Sequence, residues 1–311
     1  MFIPTLIRVA TMLAYAIPGF LFIKTKAVKE EAIPAFAKLL LYVCSPCLSL
    51  YSFSRAEYSP ELHGMIWLCF FATLFLLLAM ILVFRLILRR KYNDVRWRVF
   101  IIATSLGNVG YFGVPLLEHF LAEYPFAAVF SQIFSLTMNI VAWTVGLFVI
   151  SLDKKFIRPK KLLTVPLVLS MVIAYPMFLF GWDFPPMVAE AIQLLGRMST
   201  PLCMIILGMR LATVEFKALI TDWRSILASG TKMILFPLFA LAVMLLIPVE
   251  PYVKASIFLL ACCPCASMIQ SLSELIGQGQ KQAANTVLIA TLLCVITIPV
   301  MSELFLPFLL K

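Results

Sequence analysis

Ten apolar stretches follow one another along the chain, with no linker or low-complexity tract between them. They run over residues 5–24, 33–54, 63–88, 98–120, 125–151, 162–181, 187–212, 224–247, 252–276 and 283–309. A helix needs about 20 residues to cross a bilayer. Hydrocarbon offers no partner to a bare amide, so segments of this kind cross as helices. Of 311 residues, 63% are hydrophobic and 13% charged, against about half and about a quarter in soluble domains. The pattern predicts an all-α polytopic membrane protein of ten transmembrane helices, one transmembrane unit over 1–311. The short connections leave no room for a soluble catalytic domain.

The net charge of +10 would suggest nucleic acid in a soluble protein. Here the basic residues fall in short connections, where they report orientation. Lys24, Lys26 and Lys29 occupy the first connection, and Arg89, Arg90, Lys91, Arg96 and Arg98 the third. Lys154, Lys155, Arg158, Lys160 and Lys161 occupy the fifth, and Arg210, Lys217 and Arg224 the seventh. The other connections are poor in base, so the odd ones are expected in the cytoplasm and both termini outside. The first stretch has no clear small-residue cleavage site and is expected to be a span.

Two halves, 1–151 and 162–309, echo each other. Ser45-Pro46-Cys47-Leu48 in the second stretch matches Thr200-Pro201-Leu202-Cys203 in the seventh, and Pro115 in the fourth matches Pro264 in the ninth. Five spans per half is an odd number, so the second half enters the membrane inverted. Inverted repeats with interrupted helices in matching places mark secondary transporters. Chance pairing among 19 prolines is the alternative.

The fourth stretch reads Gly107-Asn108-Val109-Gly110-Tyr111-Phe112-Gly113-Val114-Pro115, and the ninth Ala261-Cys262-Cys263-Pro264-Cys265-Ala266-Ser267. Gly costs about 1 kcal/mol and Pro about 3 kcal/mol inside a helix, so both stretches are expected to break. A break at membrane depth survives only against protein or a wet cavity. Each restarting half-helix would present free amides and partial positive charge to an anion. Asn108, Gly110, Gly113, Pro115, Cys262, Pro264, Cys265 and Ser267 are therefore the candidate binding residues. Two kinks that merely shape the bundle are the alternative.

An ionisable group inside a span is a functional suspect. Arg197, three residues before Thr200-Pro201, is the candidate counter-charge for a carboxylate; the alternative is a structural pair. Lys232 and Glu118 are candidates for ion coupling, unless Lys232 snorkels to the cytoplasmic face and Glu118 meets outer water. Gln132 and Asn139 share one helix face and either line a cavity or glue helices together. Ser45, Pro46, Thr200 and Gln270 complete the candidate cavity lining. No metal site is expected from His63 and His119 alone. The soft Cys262-Cys263-x-Cys265 cluster lacks a partner, and Cys44-Ser-Pro-Cys47 lacks a redox-fold context. No hydrolase, P-loop or dinucleotide signature is present, so neither enzyme activity nor a cofactor is expected.

At these residues the chain resembles the auxin efflux carrier family, which includes plant auxin exporters and bacterial carriers associated with malonate, malate and related acids. Asn108-Val-Gly-Tyr-Phe-Gly-Val-Pro-Leu-Leu117 looks like the family's fourth-span element. Ser45-Pro46-Cys-Leu-Ser-Leu50 is similar to its second-span element. Pro201-Leu-Cys-Met-Ile-Ile-Leu-Gly208-Met-Arg-Leu211 resembles its seventh-span segment. Pro264, Glu274-Leu-Ile-Gly277 and Thr286 to Pro299 resemble its closing stretch. The length resembles the compact bacterial members. Cys262, Cys263, Cys265 and Arg197 depart from the family pattern.

The resemblance implies a ten-helix 5+5 inverted repeat like that of bile-acid/sodium symporters. Helices 1, 2, 6 and 7 would form a scaffold, and helices 3–5 and 8–10 a mobile transport domain with broken helices 4 and 9 crossing. It also implies a bacterial-type plasma (inner) membrane and, by analogy, a homodimer formed through the scaffold. The expected function is secondary transport of a small organic anion, a mono- or dicarboxylate, with efflux the direction the family favours. The movement would be an elevator-like shift at the Pro115/Pro264 crossing. The expected partners are membrane lipid, the anion, and H⁺ or Na⁺ as coupling ion, with no nucleic acid. The alternatives are a cation-coupled carrier or channel that uses the crossing as a Na⁺/H⁺ site, and a non-transporting membrane sensor.

Overall fold

The computed structural model describes residues 2–310 apart from 125, 157–163, 215–218 and 220. Arg158, Lys160, Lys161 and Lys217 of the basic connections lie outside the described residues. Among the described residues every regular element is helical, and the one extended pairing is a single antiparallel bridge.

Among the described residues seven helices are long and apolar enough to cross a membrane: α1 (Phe2–Lys24), α2 (Glu30–Ser54), α3 (Pro60–Ile87), α6 (Ala127–Ser151), α8 (Pro186–Thr213), α9 (Trp223–Leu246) and α12 (Gln280–Leu309). Five shorter helices lie between them. These are α4 (Val95–Ala103), α5 (Val114–Phe120), α7 (Pro166–Phe180), α10 (Pro251–Ala261) and α11 (Met268–Ile276). The protein is thus an all-α integral membrane protein. The fourth and ninth apolar stretches are each split, into α4 and α5 and into α10 and α11.

Local sequence accounts for the helix ends. Ser59 caps α3 by accepting from the Leu62 amide, with Pro60 in the first turn where no N–H is needed. Asp94 caps α4 through the Arg96 amide at 2.9 Å. The Arg96 side chain holds the Asp94 carboxyl below its ordinary range. Asp222 caps α9, accepts from the Ser225 hydroxyl at 2.7 Å, and takes the Asn285 amide of α12 at 3.1 Å.

Proline explains most of the irregularity. It has no N–H for the carbonyl four residues back, and its ring collides with that carbonyl. Pro18 and Pro201 stand four residues beyond Ala14 and Arg197, where the first runs of α1 and α8 stop. Pro46, Pro115 and Pro237 have a different outcome. Each follows a single widened π turn by two residues, at Leu40–Cys44, Val109–Gly113 and Thr231–Leu235. The wider turn moves the offending carbonyl aside, and the helix continues. A fourth π turn, Ala142–Gly146, has no such proline.

The closest helix contact joins α1 to α8. A Cβ on Gly19 would stand 1.9 Å from the Ile205 carbonyl oxygen, and one on Gly208 would stand 1.9 Å from that of Ala16. Only glycine lets these two backbones touch, which is how small residues drive helix packing in lipid.

Candidate functional site

The two split stretches meet. After α4 ends at Ala103, the buried run Thr104 to Gly107 leaves helical geometry; after α10 ends at Ala261, Cys262 to Ser267 does the same. They pair antiparallel at Gly107 and Cys265. The Asn108 amide donates to the Pro264 carbonyl at 2.6 Å, and the Ala266 amide donates to the Leu106 carbonyl at 3.0 Å. Each segment thus satisfies backbone groups that the other leaves bare, which is what a break away from water requires.

The position corrects the sequence reading in two respects. The crossing centres on Gly107 and Cys265, not on Pro115 and Pro264. Pro264 lies in it, but Pro115 sits in the first turn of α5, beyond a π turn that absorbs its ring. Gly110 and Gly113 mark no break either. A Cβ on Gly113 would stand 2.5 Å from Leu260 Cδ2, and one on Gly110 would stand 3.0 Å from Ser135 Oγ, so close packing demands both. Two of the amides expected to face an anion, those of Asn108 and Ala266, are occupied by the opposite segment.

A cavity of about 430 Å³ lies against the crossing. Gly107, Asn108, Gly110, Ala266 and Ser267 form its floor. Ser45 of α2, Gln132 and Asn139 of α6, Cys203 and Arg210 of α8, and Gln270 of α11 contribute the polar wall. Most of the remaining lining is apolar, including Leu41, Leu48, Trp143, Ile206, Leu207 and Val287. Of the four π turns, three supply lining residues (Leu40, Gly110 and Trp143). Single π turns recur at functional sites.

Arg210 is the one charged side chain among the described residues that line this cavity. It is 23% exposed, and its nearest carboxylate oxygen, on Glu274, is 3.9 Å away. That oxygen already accepts from the Gln270 side chain at 3.0 Å. The Arg210 Nε is buried without a partner, as is the Gln132 side-chain nitrogen. The cavity wall thus carries one cation, and two N–H donors on its lining residues are without a partner.

The family model described as membrane transport protein matches residues 4–302. The chain belongs to that family. A search of curated proteins found no significant match. As a membrane transport protein it carries solute rather than performing chemistry on it, and among the described residues no three His, Cys, Asp or Glu side chains group to hold a metal.

The remaining candidates of the transporter fall outside its cavity lining. Arg197 is exposed, donates to the Tyr51 hydroxyl at 3.0 Å and stacks on that ring at 5.4 Å. Glu118 pairs with Arg55 at 3.0 Å, both about a third exposed. The Thr200 hydroxyl donates to the Tyr111 carbonyl at 2.7 Å and ties α8 to the π turn before α5. Cys262 and Cys265 are buried, and the Cys265 thiol donates to the Ala103 carbonyl at 3.4 Å. Pro46 belongs to the π-turn device of α2. Lys232 does not snorkel: it is fully buried, and its ammonium donates to the Ala261 carbonyl at 2.7 Å.

Sequence reasoning missed Arg210 by assigning it to the seventh connection. Only its place inside the apolar run Leu207-Gly208-Met209-Arg210-Leu211-Ala212 was visible; the helix continues past the arginine to Thr213.

Proposed function

We propose that this protein is a secondary transporter of small organic anions, mono- or dicarboxylates, that works by alternating access at the paired breaks. The observation that carries the reading is the cavity against that pairing, whose single charged wall residue among the described residues is Arg210 with an unused Nε. Asn108, Gln132, Asn139, Ser267 and Gln270 supply neutral donors and acceptors around it, and the apolar wall takes the body of the solute. Arg210 replaces Arg197 as the substrate's counter-charge.

The proposed architecture is ten spans in two inverted halves of five, with α4–α5 and α10–α11 as the broken crossover helices. Support comes from the antiparallel pairing itself, since two segments related by an axis in the membrane plane meet head to tail. The cavity draws α2, α7 and α8 from the expected scaffold, and α6, α11, α12 and the break before α5 from the expected mobile group. A solute between two such bodies moves when one slides on the other, the elevator-like shift. In the proposed orientation both termini lie outside a bacterial-type plasma membrane. The cavity, near the Thr213 end of α8, then belongs to the cytoplasmic side, as an exporter's loading state requires.

A melting-temperature screen of purified protein against mono- and dicarboxylates tests the reading. Ligands stabilise the state they bind, so carboxylates raise the melting temperature with concentration and matched neutral amides do not. Proteoliposomes then show saturable counterflow of the stabilising acid. Equal stabilisation by acid and amide, or flux linear in concentration, defeats the proposal.

A further inference from the structure

Lys232 is a fully buried charged group to which anion binding gives no task. It is 0% exposed and projects from the π turn Thr231–Leu235 of α9. Its ammonium donates at 2.7 Å to the carbonyl of Ala261, the last residue of α10. A helix leaves its final carbonyls without partners and carries partial negative charge there. The ammonium also lies 4.4 Å from the centroid of the Phe236 ring, a second contact that favours a cation. On the other side it meets the fourth segment: a Cβ on Gly107 would stand 3.3 Å from both Nζ and Cε. The titratable groups acting on it are the thiols of Cys262, Cys263 and Cys265, and no carboxylate is among them. One ammonium therefore touches both broken segments where they pair.

Unwound carbonyls and half-helix C-termini at such a crossing are also what coordinate Na⁺ in carriers that use it. We propose that Lys232 is the resident cation of this crossing, a side-chain ammonium standing where a metal ion would gather the freed carbonyls. The carrier then cycles without sodium. Lys232 is a positioning residue that pins the end of α10 against Gly107, where a Cβ would crowd the ammonium. The task assumes the carrier reading above, but the cation contacts stand without it.

The test uses sodium, ethylammonium and choline chlorides as probes, and purified full-length protein. Melting temperature is the readout, so no transported anion is needed. Wild-type protein is expected to melt at the same temperature in sodium and choline, within about 1 °C. Lys232→Ala is expected to melt at least about 5 °C lower and to recover half of that loss in sodium or ethylammonium, but not in choline, which has no N–H and is too large for the vacated space. Lys232→Arg is expected to stay near wild type and indifferent to sodium. The proposal is overturned by sodium stabilisation of the wild type, by a Lys232→Ala protein that melts like wild type, or by a loss that neither small cation restores. If Lys232→Ala cannot be purified, the wild type and Lys232→Arg decide: indifference to sodium in both upholds the proposal, and stabilisation of either by sodium overturns it. Failure of the carboxylate screen alone removes the anion reading and leaves this result intact.

Discussion

Replacing Arg210 with glutamine tests the cavity most directly. The substitution keeps the aliphatic stem and some donor capacity of the side chain and removes its charge. In the free protein the guanidinium is weakly engaged. Glu274 is 3.9 Å away, its oxygen is shared with Gln270, and Nε has no partner. A bound carboxylate therefore gains Arg210 without first breaking a strong pair. A hydrogen bond to a charged group contributes about 1.5–3 kcal/mol net. Loss of that contribution corresponds to roughly 10- to 150-fold weaker binding. Arg210→Lys keeps the charge and loses the planar fork, so its deficit is smaller, about 3- to 10-fold at the same scale. The assay is the concentration dependence of the melting temperature with a stabilising carboxylate, repeated as half-saturation of counterflow. Low ionic strength is needed, because the partly exposed site is screened by salt. The folded protein should not suffer, since the substitution removes a largely buried charge whose nearest carboxylate is 3.9 Å away and so relieves a desolvation cost. Carboxylate affinity in Arg210→Gln within twofold of wild type, at an unchanged melting temperature, would refute the reasoning.

Three further outcomes follow from the same geometry. Arg197→Ala removes a hydrogen bond and a stacking contact with Tyr51, so it should cost about 1 kcal/mol of stability and leave carboxylate affinity unchanged; a tenfold affinity loss would return Arg197 to the site. Gly208→Ala drives a Cβ to 1.9 Å from the Ala16 carbonyl oxygen, a backbone atom that cannot swing away. The helices must separate, at about 3 kcal/mol, and a melting temperature equal to wild type would show that the contact is not close. Asp94 caps α4 with a carboxyl held low first by the Arg96 side chain. Its stabilising share is complete above its unfolded value and is lost as pH falls through the lower folded value. Acid should thus loosen wild type more than Asp94→Ala, and parallel acid profiles for the two would contradict this.

How far these features were legible depends on how local their causes are. Helical class followed from hydropathy, because continuous apolar runs of about 20 residues fit a spanning helix, which satisfies its own amides, and not the alternating pattern of a barrel strand. That the fourth and ninth stretches are interrupted was legible from glycine and proline, but the place was so only in the ninth, at Pro264; the fourth opens before Val109 and not at Pro115. Gln132 and Asn139, seven residues apart on α6, were legible as one face, and both line the cavity. Arg210 was not. The cavity wall around it is assembled from distant parts of the chain, and its nearest carboxylate, on Glu274, belongs to α11. Arg197 misled for the mirror reason. Its depth within an apolar run was visible, but its partner Tyr51, across the gap between α8 and α2, was not.

Proline shows most clearly where composition stops deciding. By intrinsic cost, Pro46, Pro115, Pro237 and Pro264 are equivalent helix breakers. Only Pro264 lies in a true interruption; the other three are absorbed by π turns. The difference is what receives the freed backbone. At Val109, in the turn before Pro115, the carbonyl is taken by the Ser131 hydroxyl at 2.6 Å, and at Tyr111 by the Thr200 hydroxyl at 2.7 Å. With those carbonyls satisfied, the helix need not end. At Pro264 the carbonyl is instead taken by the Asn108 amide of the other broken segment. That bond exists only if the fourth stretch is open at Leu106 to Asn108, so each break is the condition for the other. The pair is therefore a cooperative unit rather than two independent kinks. A side chain that stabilises one half, as the Lys232 ammonium does at Ala261, acts on both.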